Sequence, residues 1–207
     1  MRLATLAAAI VFSVSATVTQ AAPVYFSGPT DTNVDGKTYT DGVVNVTVDG
    51  GTFNGSGSIC LSCGVAGQYW GGLGVYSHRG DSHQVDGRNE NDIVKFTFDY
   101  EVILEAVTFT YVDRKDEFSF ATMDGGPLGV IARNVDIPGS GIATYTFNSI
   151  WQGTMFGIGA WDKNDNFKIK ALHYSKVNVV PLPASVLLLG SAIGFAGFVS
   201  RRRKKAS

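Results

Sequence analysis

The chain is short of cysteine, histidine, proline and, in its middle, positive charge, and each shortage excludes something. Two cysteines among 207 residues are too few for a disulfide-stapled mini-protein. Three histidines, His78, His83 and His173, leave little material for a histidine-built centre. No G-x-S-x-G is present, so a nucleophile-elbow hydrolase has no candidate serine. Six prolines exclude a proline-rich spacer. Outside the two termini no segment keeps a 3.6-residue apolar period, which argues against a helical bundle. Arg2 and the five basic residues at 201–205 account for six of the 17 lysines and arginines. The remaining 11 face 18 acidic residues, so the central region carries about −7. A nucleic-acid binder needs a basic face to neutralise phosphates, and nucleic acid is therefore not an expected partner.

What the chain does have is glycine, aromatics and β-formers. Glycine numbers 25, aromatics reach 12%, and hydrophobic residues make up 44%, enough for one domain with a real core. Eight segments alternate, or run apolar, over strand lengths between Gly, Asp and Asn turns: Val43–Val48, Tyr69–Tyr76, Ile93–Asp99, Val102–Val112, Phe118–Met123, Ile142–Phe147, Thr154–Trp161 and Phe167–Val180. Val94, Phe96 and Phe98 share one face of the clearest segment, opposite Lys95 and Thr97. Thr108-Phe109-Thr110-Tyr111 alternates in the same way. The pattern predicts an all-β fold, an antiparallel β-sandwich of jelly-roll type. The glycine- and serine-rich stretch between Val48 and Tyr69 is expected to be irregular.

Cys60 and Cys63 form C-x-x-C, and His78 and His83 follow at zinc-finger spacing. A finger needs both histidines on one helix. The intervening GVAGQYWGGLGVYS holds five glycines, each costing about 1 kcal/mol in a helix interior. A short-range disulfide between Cys60 and Cys63 is expected instead, as suits an exported chain.

Oxygen ligands gather in RGDSHQVDGRNENDIV. Asp81, Asp86, Asn89 and Asp92 are the candidate ligands of a cation, and Ca²⁺ is the ion such hard donors on a turn suit. Asp31, Asn33, Asp35 and Gly36 match the first half of an EF-hand loop, but its twelfth position is Gly42 rather than Glu. Asp162-Lys163-Asn164-Asp165-Asn166 offers oxygens without the glycine. β-Turns use the same residues to cap local backbone. Tyr69, Trp70, Trp151 and Trp161 could stack on sugar rings or fill the core and its rim.

Each end carries an apolar segment. Arg2 precedes an apolar run from Leu3 to about Val14, then small residues to Ala21, the layout of a secretory signal peptide over 1–21. The β-domain is placed at 22–178. From Pro181 to Val199 no residue is charged. As a helix this run would span about 28 Å, enough for the hydrocarbon core. Arg201, Arg202, Arg203, Lys204 and Lys205 would stay cytoplasmic and leave the domain outside. The segment 179–207 is thus expected to be a single transmembrane helix with a basic stop, a membrane anchor retained or transient.

Val180, Pro181, Leu182, Pro183 and Ala184, followed by that apolar run and basic cluster, resemble the VPLPA variant of the PEP-CTERM sorting signal of exported proteins in Gram-negative bacteria. The resemblance implies processing by an exosortase, a membrane-embedded cysteine transpeptidase, and localisation at the membrane, cell surface or extracellular matrix. The central region resembles domains that accompany such signals, in Gly72-Leu73-Gly74-Val75, Gln84-Val85-Asp86-Gly87, Asn91-Asp92, Asp116-Glu117-Phe118 and Phe156 to Phe167. It implies association with an exopolysaccharide or biofilm matrix and supplies no catalytic residue. The sequence therefore points to a non-catalytic surface or matrix protein. A calcium-dependent carbohydrate-binding module is the alternative, and a hydrolase ranks third.

Overall fold

The structure, a computed structural model, describes residues 19–20, 23–123 and 127–177. The signal-peptide segment, apart from Thr19 and Gln20, and the whole sorting motif with its apolar run and basic stop lie outside the described residues. Among the described residues no helix is long and apolar enough to cross a membrane.

The described residues form thirteen antiparallel strands: β1 Thr19–Gln20, β2 Val24–Tyr25, β3 Lys37–Thr40, β4 Asn45–Phe53, β5 Ile59–Cys60, β6 Val65–Tyr69, β7 Gly72–Tyr76, β8 Val85–Asp86, β9 Asn91–Val112, β10 Glu117–Thr122, β11 Gly129–Asp136, β12 Gly141–Gly159 and β13 Asn166–Lys176. One 3₁₀ turn, Leu61–Cys63, is the only helical element among the described residues.

Two long strands organise the rest. The first half of β9 pairs with β4 on one edge and with Met155–Gly159 of β12 on the other. Its second half, from Val102, pairs with β13 and with Gly141–Gly153 of β12. Register breaks in β12 between Thr146 and Trp151, and again before Met155, mark where it crosses from one half to the other. β10 and β11 extend the first half. The hairpin of β6 and β7 joins the second half through Leu73 opposite Ile169.

The two halves face one another through aromatic side chains. Phe98 meets Tyr174 edge-on at 4.9 Å between ring centroids, Phe109 meets Phe118 at 5.3 Å, and Phe120 meets Phe147 at 4.9 Å. Phe96, Phe109, Phe118, Phe156 and Phe167 are fully buried. Such rings bring large apolar area and prefer edge-to-face contact, so they hold the two halves of the sheet together.

Several expected boundaries shift. Tyr69–Tyr76 is a hairpin turn with parts of two strands, because Tyr69 pairs with Gly72 across Trp70 and Gly71. The segments around 93–112 and 142–159 are two continuous strands rather than four. The stretch 48–69 is largely ordered in β4, β5 and β6. Gly50 and Gly51 are there for close approach: a Cβ on Gly50 would stand 2.2 Å from the backbone nitrogen of Ala66, and one on Gly51 2.6 Å from the carbonyl oxygen of Cys60. The alternation at 108–111 also fails at its last residue. Phe109 is fully buried and Tyr111 is exposed, although residues two apart on a regular strand share a face.

Candidate functional site

The turn from β7 through β8 into β9 brings three carboxylates together. Asp81 lies in the loop after β7, Asp86 ends β8 and Asp92 is the second residue of β9. One oxygen from each lies within 4.8 Å of the others. All three are buried, and Asp92 completely so.

Local hydrogen bonds build this loop. Asp81 Oδ2 accepts from the backbone N–H of Ser77 at 2.7 Å and from its hydroxyl at 3.1 Å. Asp86 accepts from the Ser82 hydroxyl at 2.5 Å and from the Arg88 N–H at 2.8 Å. Asp92 Oδ2 accepts the N–H of Asp86 at 3.3 Å. Three of these are bonds from backbone N–H to an Asp side chain, by which Asp favours turns over ladders. They leave Asp81 Oδ1 and Asp92 Oδ1 buried without a partner.

A buried oxygen without a donor is costly, and a buried charge more so. Burial first, then the charge of Asp81, pushes the Asp92 carboxyl up to about 8. The imidazole Nδ1 of His78 stands 3.5 Å from Asp81. No lysine or arginine forms an ion pair with the triad among the described residues. The three carboxylates are hard oxygen donors, which suit Ca²⁺, and the buried Nδ1 of His78 beside them has no hydrogen-bond partner.

Asn89, the fourth candidate ligand, lines a hollow with His78, Asp81 and Asp86. Its φ is +72°, it is exposed, and its side-chain amide meets Nε2 of His78. Cys60 and Cys63 are disulfide-bonded to one another, so they hold no metal with the two histidines. The other acidic turns are braces. Asp116 accepts from the N–H groups of Asp113 and Asn166, and Asp165 from those of Glu117 and Asp162. Asp35 Oδ1 accepts from both Gly50 and Ala66. Their oxygens are spent on backbone, whereas two in the triad are not.

Beside the triad opens a cleft of about 600 Å³, lined by Thr32, Asn33, Tyr69, Tyr76, Asp81 and His83, among others. Tyr69 and His83 stack with ring centroids 5.6 Å apart, and Tyr76 and His83 lie at 5.3 Å. Gly74 makes this possible, because a Cβ there would stand 2.1 Å from the His83 carbonyl oxygen. Lys168 donates to that same carbonyl and places its ammonium 4.1 Å from the Tyr69 ring centroid. Burial pulls the lysine down to about 8, with Asp81 opposing. Sequence reasoning singled out Tyr69 but missed Tyr76, His83 and Lys168 as neighbours. The paired glycines Gly67 and Gly74 of the hairpin were the available signal.

The remaining sequence-selected aromatics divide. Trp151 packs on Phe120 at 5.2 Å. Trp161 lies against Phe53 at 5.7 Å, with the guanidinium of Arg133 over it at 4.1 Å. Trp70 is 76% exposed.

No family model and no curated protein sequence matches the chain. Among solved structures it is similar to the family 32 carbohydrate-binding module of NanJ from C. perfringens, determined in complex with galactose. The TM-score is 0.36 and the identity 11%, over 62% of this chain and 93% of that one. No residue is carried over at that identity.

Proposed function

We propose that this chain is an exported, non-catalytic β-domain of jelly-roll type that binds carbohydrate with the help of Ca²⁺ at the cell surface or in its matrix. The observation that carries the reading is the pair of buried, unpartnered oxygens on Asp81 and Asp92, in a triad that shares Asp81 with an aromatic-floored cleft. Asp81, Asp86 and Asp92 would hold the ion. Calcium would supply the positive charge the triad lacks and would fix the loop that carries His83. Tyr76, exposed and backed by His83 and Tyr69, would offer its ring to the apolar face of a pyranose, with Asn33 and Thr32 as hydrogen-bonding groups.

The non-catalytic reading rests on reach. The carboxyls whose pKa is raised to between about 6 and about 8 are Asp165 and Asp92, and both are buried within the fold. General acid–base work needs such a group within hydrogen-bond distance of the reacting atoms.

Export would follow from the signal segment 1–21. Sorting would follow from Val180–Ala184, the apolar run and the basic stop, acted on by an exosortase-type transpeptidase, with exopolysaccharide as the partner. Calorimetry with Ca²⁺ and then with a panel of neutral and acidic glycans tests the binding reading. Heat with Ca²⁺, followed by glycan binding that EGTA abolishes, is expected. Absence of heat with every glycan would leave a matrix-structural protein and sink the carbohydrate reading.

A further inference from the structure

A second hollow, of about 390 Å³, lies at the turn of the β6–β7 hairpin and is lined by Trp70 and Tyr111. Gly71, Thr110, Ile142 and Lys170 complete it. Trp70 occupies the hairpin turn beside Tyr69, so the cleft and this hollow flank two successive residues.

Tyr111 is held there against its own preferences. Val112 lies opposite Gly141 and Thr110 opposite Ile142, so Tyr111 is the extra residue of a β-bulge. Its φ is +61°, in the left-handed region that costs an L-residue about 1–2 kcal/mol. Glycine is the usual occupant of such a bulge position. The bulge turns the phenol out of the core, and it is 58% exposed. The ring lies on Gly71, where an added Cβ would stand 2.2 Å from Tyr111 Cε2. The Thr110 hydroxyl donates to the Gly71 carbonyl at 2.6 Å and ties the bulge to the hairpin turn. Backbone strain and a large exposed aromatic pair both oppose stability, and strain of this kind concentrates at functional positions.

The charge at this hollow runs against the acidic balance of the domain. Lys170 lines it and has no ion-pair partner among the described residues. The Lys168 ammonium lies 5.9 Å from the Tyr111 ring centroid. Flat exposed rings with an unpaired cation beside them suit a pyranose that carries a carboxylate.

We propose that the Trp70–Tyr111 hollow binds an acidic polysaccharide, with uronate rings stacked on the indole and phenol and their carboxylates on Lys170. This shares the ligand class of the cleft reading but stands on different residues and uses no calcium. The purified protein is titrated with soluble oligouronates and with neutral dextran, each with and without EGTA. Oligouronate affinity is expected to fall tenfold or more in Trp70→Ala, Tyr111→Gly and Lys170→Gln, and to stay unchanged in Ile150→Ala. Tyr111→Gly is expected to melt no lower than the parent, since glycine accepts the left-handed φ. That separates a binding role from a structural one. Binding lost in Trp70→Ala and indifferent to EGTA supports the site whatever becomes of the cleft. Binding that vanishes with EGTA but ignores Trp70→Ala belongs to the cleft and overturns this proposal alone. Dextran bound as tightly as oligouronate, or a concentration-dependent dimer that Trp70→Ala abolishes, overturns it as well.

Discussion

The backbone N–H of Asp86 donates to Oδ2 of Asp92 across 3.3 Å, while the other oxygen of Asp92 is buried without a hydrogen-bond partner. One half of this carboxylate closes the turn. The same carboxylate stands in the triad with Asp81 and Asp86, and that double role shapes how the domain should respond to metal and to pH.

Calcium is expected to raise the melting temperature. A ligand at about 100 times its Kd stabilises by about 2.7 kcal/mol, which for a domain of this size is about 5–10 °C. Asp92→Asn should abolish most of that gain. Scanning calorimetry with Ca²⁺ against EGTA reads it, and an equal gain in the variant would place the ion elsewhere.

The metal-free protein is expected to lose stability as pH rises from about 4 to about 8. Asp92 is pushed up to about 8 in the folded state by burial and by Asp81, against about 3.9 unfolded. Between those values the folded state binds the extra proton, so unfolding becomes easier as pH climbs. Burial also pushes Asp165 up, to about 6, and adds loss of the same sign at the lower end. Urea midpoints across this range test the slope, and Asp92→Asn should flatten its upper part.

Asp165→Ala should destabilise without touching the calcium response. Its oxygens serve the N–H groups of Glu117 and Asp162, and each N–H left unserved costs about 1–3 kcal/mol. A shifted midpoint with an intact calcium gain is the expected pair of results.

Gly74→Ala should cost about 1–3 kcal/mol through overpacking, because the new methyl would press on the His83 carbonyl. Glycan affinity at the cleft should fall with it, since His83 would leave its place between Tyr69 and Tyr76. Denaturant melts and calorimetry on the same sample report both effects.

Intact mass of the protein recovered from cells reads the two ends. A chain beginning near Ala22 and ending near the Pro181–Pro183 motif is expected. A mass that still includes Ser207 would show an anchor retained in that sample.

Much of this architecture is legible in the residues. Val94, Phe96 and Phe98 mark a half-buried strand by period alone, and they are buried as that period requires. Asp81, Asp86 and Asp92 stand close enough in the chain for a turn to gather them. Asn89, from the same stretch, looks equally suitable as a ligand. Its backbone is left-handed and its amide also meets His78, and nothing in its neighbours' identities announces that.

Sequence by itself determined the class of structure: β-formers, glycine turns and period-two runs permit little else once helical periodicity is missing. It also determined that oxygen ligands would crowd one turn. Tertiary structure decided which of those oxygens go unpaired, because the competing donors come from Ser77, Ser82, Asp86 and Arg88 in a particular fold of the loop. It decided that Lys168 would meet His83, 85 residues away in the chain. It decided that Tyr111, whose spacing from Phe109 assigns it to the core, would face solvent. One extra residue in a bulge reverses a side chain, and whether a bulge forms depends on the register of β12 across the sheet, which no local pattern encodes.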